Sequence, residues 1–149
     1  MLSQKARYAF RALLVLARHK GPDPLAIADI ADVSKVPKKF LEQILLDLKH
    51  RGIVRSVRGK HGGYALGRSA DQIFFAEVIR TIDGPLALSP CASRTAYRKC
   101  EDCVDEKTCT MRTVLLDVRD ATAKILESRS IASMLGEPPH PKRRRATSA

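Results

Sequence analysis

The chain contains no tryptophan and only 5% aromatic residues, so any core must be built mostly from Leu, Ile, Val and Ala. Long apolar runs are missing as well. Arg, Lys or Asp interrupts every such run well before the roughly 18 residues a membrane helix needs. A signal-peptide core is excluded in the same way, because Lys5, Arg7, Arg11 and Arg18 punctuate the first segment. These absences lead us to expect a cytoplasmic protein without a membrane partner. Acidic residues are scarce, 16 against 27 Lys and Arg, which leaves a net charge of +11. A chain this basic either meets a polyanion, most often nucleic acid, or keeps a basic surface for solubility. There is no serine elbow and no paired His/Asp arrangement, so nothing points to nucleophilic catalysis. His19, His50, His61 and His140 are scattered and read as surface or DNA-side residues. No internal repeat is visible.

The 149 residues suffice for one compact domain with an appended element. Ser3 is a plausible N-cap for a helix to about His19, with Ala6, Phe10, Leu13, Leu14 and Ala17 at helical spacing. Gly21-Pro22 ends it. Asp23, with Pro24 in the first turn, is read as capping a second helix to about Asp32. After a short turn through Val36, Pro37 opens a third helix to about His50, with Phe40, Leu41, Ile44, Leu45 and Leu48 as its apolar stripe. Ile53–Val57 and Tyr64–Leu66 read as strands around the glycine-rich turn Arg58–Gly63. Two helices, a short turn and then a hairpin make a winged helix-turn-helix. A short helix over Ile73–Asp83 and a longer one from Met111 to about Ser128 follow. The last stretch, with Pro138, Pro139, Pro141 and Lys142-Arg143-Arg144-Arg145, is expected to be a disordered basic tail. The fold class is therefore mainly α with a small β-hairpin wing.

The basic charge is concentrated where DNA would lie. Nine Lys and Arg fall between Lys35 and Arg68, opposed only by Glu42 and Asp47. On the third helix the core takes Leu41, Ile44, Leu45 and Leu48, leaving Lys38, Lys39, Glu42 and Gln43 at the outward N-terminal end that reaches base edges. Glu42 either accepts from cytosine N4 or pairs with Lys38 or Lys39. Gln43 either reads adenine or makes a partly buried hydrogen bond. Lys38 and Lys39 suit phosphates. In the wing, Arg58 suits a narrow, negative minor groove, with Lys60 and His61 adding contacts. Gly59, Gly62 and Gly63 read as allowing positive φ and close approach to the sugar-phosphate chain. Tyr64 reads equally as packing the wing on the body.

All four cysteines lie in one polar, turn-rich stretch, Cys91, Cys100, Cys103 and Cys109, spaced C-x8-C-x2-C-x5-C. In a reducing compartment such a cluster favours metal binding or redox sensing over structural disulfides. Four soft thiolates can satisfy a whole iron–sulfur site. The spacing is not that of a zinc ribbon with two CxxC pairs, but zinc stays an alternative, as does a thiol–disulfide switch without metal. Arg94, Arg98, Lys99, Lys107 and Arg112 nearby would stabilise thiolates. A disulfide-exchange enzyme or metal carrier built on Cys100-x2-Cys103 is a minor reading, because no thioredoxin-like βαβ pattern surrounds it.

Three segments carry a resemblance. They are Leu2-Ser3-Gln4-Lys5-Ala6-Arg7-Tyr8-Ala9, Val36-Pro37-Lys38-Lys39-Phe40-Leu41-Glu42-Gln43-Ile44-Leu45 and Val57-Arg58-Gly59-Lys60-His61-Gly62-Gly63-Tyr64. Together they resemble the opening helix, recognition helix and wing of the IscR/NsrR/CymR group of bacterial winged-helix regulators, the Rrf-type family. The likeness covers residues 1 to about 130. It implies a homodimer held by the long C-terminal helix and a palindromic double-stranded DNA operator. The family's minor-groove arginine falls on Arg58 and its base-contacting glutamate on Glu42.

Cluster-binding members place three cysteines in this loop, with a varying fourth ligand. Here Cys103-x5-Cys109 fits that pattern. The gap back to Cys91 is longer and holds the additional Cys100. Arg112 stands where a histidine would follow, and Arg7 where some members supply a carboxylate. The resemblance thus implies an all-cysteine iron–sulfur site of 2Fe-2S or 4Fe-4S type. A CymR-like regulator working through a protein partner is the alternative. The resulting division is a DNA-binding domain over 1–83, a sensor loop over 84–110, a dimerisation helix over 111–135 and a tail over 136–149. The expected role is a transcription regulator, usually repressing.

Overall fold

Ser3 begins the first helix, α1 (Gln4–Arg18), as an extended residue whose hydroxyl accepts the Ala6 N–H at 3.0 Å. Its backbone N–H and hydroxyl in turn donate to Asp83, tying the start of α1 to the end of α4 (Phe75–Ile82). In this computed structural model residues 2–136 are described; the Pro138–Arg145 run expected as a basic tail lies outside them. α1 buries Ala9, Phe10, Ala12, Leu13 and Leu16 in the core.

The helix-turn-helix consists of α2 (Ile27–Ser34) and α3 (Lys38–His50). Lys35, at φ 54°, makes the left-handed turn between them. Leu41, Ile44, Leu45 and Leu48 are fully buried, each contributing about 1.5–3 kcal/mol of transfer free energy. Phe40, assigned to the same stripe from its spacing, is instead 56% exposed and packs obliquely on Tyr8, ring centroids 6.2 Å apart. It sits one position off the buried face, toward the outward end.

The hairpin pairs β1 (Val54–Val57) with β2 (Gly63–Leu66), Val54 opposite Leu66 and Val57 opposite Gly63. Leu25 joins as a third partner: its N–H donates to the Tyr64 carbonyl at 2.9 Å and its carbonyl accepts the Tyr64 N–H at 2.8 Å. This corrects the expected start of α2. Both backbone groups of Leu25 belong to the sheet, so Asp23 and Pro24 cannot open the helix and Ala26 takes the cap position.

The next helix is also shorter than its apolar pattern. Phe74 is extended and bridges Ser130, and the Ile131 N–H donates to the Ile73 carbonyl at 2.8 Å. Ile73 and Ile131 are fully buried. Residues 129–135, grouped with the long helix from the sequence, are therefore a separate returning segment. That helix, α5 (Thr110–Ser128), ends where the chain turns back into the core.

α5 itself contributes no buried residue. Met111, Val114, Val118 and Ile125 are 63%, 61%, 40% and 59% exposed and, with Ala121, lie along one helical face. The architecture is a winged helix-turn-helix with a long C-terminal helix. No described helix is long and apolar enough to cross a membrane.

Candidate DNA interface and thiol loop

α3 sets its first turn outward because its buried residues occupy the opposite face. Lys38, Lys39, Glu42 and Gln43 are all exposed. Among the described residues Lys38, Lys39 and Glu42 make no ion pair, so the ion-pair alternative for Glu42 is not formed here. Gln43 donates from Nε2 to Asp47 Oδ1 at 2.9 Å, and Lys5 reaches Asp47 Oδ2 at 2.6 Å. Burial opposes ionisation of Asp47, but Lys5 and Gln43 outweigh it, with His50 assisting, and hold the carboxyl below its usual range. The Gln43 amide is thus positioned by a neighbour rather than left free.

At the wing, Arg58, Gly59, Lys60 and His61 are exposed at the tip. The three glycines have different causes. Gly59 has φ +114° and open space around it, so the turn itself requires glycine. Gly62 and Gly63 do not have positive φ. A Cβ on Gly63 would lie 2.1 Å from the Leu25 carbonyl oxygen, and one on Gly62 2.4 Å from that of Val57. Close approach within the protein therefore accounts for glycine at both positions, which corrects the expectation of positive φ there. Tyr64 packs against the core, fixing the wing to the body.

The thiol loop leaves α4 at Asp83 and reaches α5. Cys91 is buried in a 3-10 turn over Pro90–Ala92. Its thiol lies 3.3 Å from Ser89 Oγ. That bond holds the thiol below its ordinary pKa against the cost of burial, with help from Cys100 and the Arg112 charge. The Cys100 thiol is pushed up, first by Cys91 and then by burial. Cys109 is the N-cap of α5, its sulfur accepting the Arg112 N–H at 3.4 Å. Between Cys103 and Cys109, Asp105 accepts from the Lys107 N–H and Thr108 hydroxyl, both at 3.0 Å.

Two arginines that the sequence reading did not single out for this purpose lash the loop to α5. Arg112 Nε donates to the Cys91 carbonyl at 3.1 Å, and Arg119 Nη1 to the Ala92 carbonyl at 2.8 Å. The only sequence hint was their cationic character; a guanidinium reaching a loop carbonyl leaves no periodic signal. Asp120 adds pairs to Arg119 and, at 3.2 Å, Arg94.

The four sulfurs are not gathered at one point. Among the described residues no three His, Cys, Asp or Glu side chains come together closely enough to hold a metal ion. Each cysteine serves a local structure instead: Cys91 its turn, Cys109 its cap, Cys100 and Cys103 a tight turn closed by the Cys103 N–H to Cys100 carbonyl bond at 3.2 Å. The convergence expected from spacing would need the segment between Cys91 and Cys109 to rearrange.

Comparison with known proteins places this geometry. A family model described as Rrf2, iron-dependent transcriptional regulator, matches residues 2–137. An rrf2-like HTH-type transcriptional regulator of Rhodobacter capsulatus is 44% identical over 138 residues, 91% of this chain and 92% of its own. The HTH-type transcriptional regulator IscR of Xenorhabdus nematophila is 34% identical over 134 residues, 90% of this chain and 78% of its own. The solved structure of CymR, the global cysteine regulator of B. subtilis, superposes with a TM-score of 0.73 at 29% identity, covering 91% of this chain and 96% of that one. With its helix-turn-helix, basic wing and these relatives, the chain is a DNA-binding transcriptional regulator rather than an enzyme, and it belongs to the Rrf2 family.

Proposed function

We propose that this regulator binds a palindromic operator as a homodimer, represses from it, and reports iron–sulfur status through Cys91, Cys100, Cys103 and Cys109. The observation that carries the reading is the attachment of the thiol loop to α5 at both ends. Arg112 holds the Cys91 carbonyl, and Cys109 caps the helix. The donor set fits a cluster: four soft thiols on one loop, flanked by cations that offset negative charge. A bound cluster would supply iron- and redox-dependent ligation; the chain supplies the four sulfurs and the connection from them to α5.

The apolar face of α5, Met111, Val114, Val118, Ala121 and Ile125, supports a second copy as its cover. Changes in the loop would then alter the separation of the two recognition helices. Half-sites on one duplex face recur at about 34 Å, so a small shift loses base contacts. Lys38, Lys39, Glu42 and Gln43 are assigned to the major groove. Arg58, Gly59, Lys60, His61 and Gly63 belong to the wing contact, with Gly63 acting through the wing's shape.

The test is a UV–visible spectrum of anaerobically purified protein, with iron, zinc and acid-labile sulfide measured on the same sample. DNA affinity is compared with and without iron. Iron and sulfide in cluster stoichiometry with a change in affinity supports the reading. A colourless protein without iron, even after anaerobic reconstitution, overturns it; zinc would mean a structural site. Likeness to CymR favours a second reading, regulation without metal through a thiol switch or a protein partner. The protein-partner form of this reading predicts that cysteine-to-serine changes leave regulation intact.

A further inference from the structure

The first half of the thiol loop folds back on itself. The Pro90 carbonyl accepts the N–H groups of Ser93 at 3.1 Å and Arg98 at 3.3 Å. Ser93 Oγ accepts those of Thr95 and Ala96 at 3.3 and 3.0 Å, fixing the turn between. This turns Cys100 back toward Cys91, near enough that each thiol shifts the ionisation of the other. Cys91 is only 4% exposed, whereas Cys100 is partly open to solvent. A pair with one thiol open to solvent and one held behind it is arranged for stepwise oxidation.

We propose that Cys91 and Cys100 form a reversible disulfide in the iron-free protein by exchange with a low-molecular-weight disulfide of the glutathione type. The Cys100 thiolate attacks one sulfur of the oxidant, whose S–S bond breaks and releases one thiolate. The Cys91 thiolate then attacks Cys100 Sγ, and the second thiolate of the oxidant leaves. The protein loses two electrons and two protons; the oxidant ends as two thiols. The same sulfurs are wanted by a cluster, so oxidation withdraws two of the four donors until a reductant restores them. This deepens the reading of the loop as the sensor and rests on it for its regulatory meaning. The competing pair Cys100–Cys103 is closed by a single turn bond, and Cys103 acts on the Cys100 thiol more weakly than Cys91 does.

The experiment uses full-length protein, iron-free and anaerobically reconstituted, exposed to oxidised glutathione. Free thiols are counted after denaturation and cysteine-linked peptides mapped without reduction. In the iron-free protein we expect the count to fall from four to two, with one link joining Cys91 to Cys100. Cys103→Ser and Cys109→Ser still form that link. Cys100→Ser, at the more open position, abolishes it without touching the buried site. A link between Cys100 and Cys103 or between Cys103 and Cys109, a persistent mixed disulfide, or an unchanged thiol count overturns the proposal. Iron and sulfide in the reconstituted sample are read separately. A protein that takes no iron yet forms the Cys91–Cys100 link sinks the cluster reading and leaves this one standing.

Discussion

Replacing Gly63 by alanine separates two explanations of the wing glycines. The new Cβ would stand 2.1 Å from the Leu25 carbonyl oxygen and 2.4 Å from its carbon, both backbone atoms that cannot swing away. One relief is to keep the three-strand contact and absorb the overlap as strain, about 1–3 kcal/mol by analogy with overpacked cores. The other is to let β2 move off Leu25, losing the two hydrogen bonds at 2.9 and 2.8 Å, each worth about 0.5–1.5 kcal/mol net. Alanine returns about 0.4–1 kcal/mol by stiffening the unfolded chain. The expected loss is about 1–2 kcal/mol. Urea unfolding, run at fixed protomer concentration, should show a midpoint lowered by about 0.5–1 M at an m-value of about 2 kcal/mol/M. If the midpoint is unchanged while DNA affinity falls, Gly63 serves the DNA contact and the packing argument is wrong.

Four further outcomes follow from other contacts. Arg58→Ala should weaken binding to duplexes enriched from a random pool and lower the slope of log affinity against log salt by about 1 in filter-binding titrations; an unchanged slope removes Arg58 from the phosphate and groove contacts. Val118→Glu should convert the proposed homodimer to a folded monomer by sedimentation, because α5 keeps no buried residue in the protomer; an intact dimer would move the interface elsewhere. Asp47→Asn should cost about 0.5–1 kcal/mol at neutral pH, discounted for partial exposure of the Lys5 pair. The folded carboxyl titrates below its unfolded counterpart, so this difference is present above the ordinary carboxylate range and vanishes as pH falls through the folded value; a pH-independent difference contradicts it. Lys35→Gly should stabilise by up to about 1 kcal/mol in thermal unfolding, because Lys35 holds φ 54°; destabilisation would show that its side chain matters more than its backbone.

Periodicity made the recognition helix legible. Leu41, Ile44, Leu45 and Leu48 occupy one face, and their burial dictates that Lys38, Lys39, Glu42 and Gln43 point away. The Ser3 cap and the Gly59 turn were equally local, and both are found. What escaped the sequence were partners distant along the chain. Leu25 looks like the first turn of a helix until Tyr64 claims its N–H and carbonyl. Ile131 looks like a helix tail until Ile73 claims its N–H. Neither pairing has a repeat or a turn signature. The cysteines show the same divide: their spacing names the donors, while the turns at Pro90, Ser93 and Asp105 decide which sulfurs lie near one another.

The two ends of α5 are fastened unequally. At its C-terminal end the main chain itself is stitched to the body, through the Phe75 N–H to Arg129 carbonyl bond at 2.9 Å and the Ile73–Ile131 bond. Toward its N-terminal half, among the described residues, side chains hold it: the guanidinium groups of Arg112 and Arg119 on loop carbonyls and Asp120 on Arg94. Fastened in this way, the helix has the geometry of a lever, its pivot at Ser128 and its more lightly held arm at Cys109. Its 19 residues make an arm of about 28 Å, so a tilt of about 5° carries the tip through about 2.5 Å. Under the proposed sensing role, a change at Cys109 would act at the end of the arm, where the least force achieves the most travel.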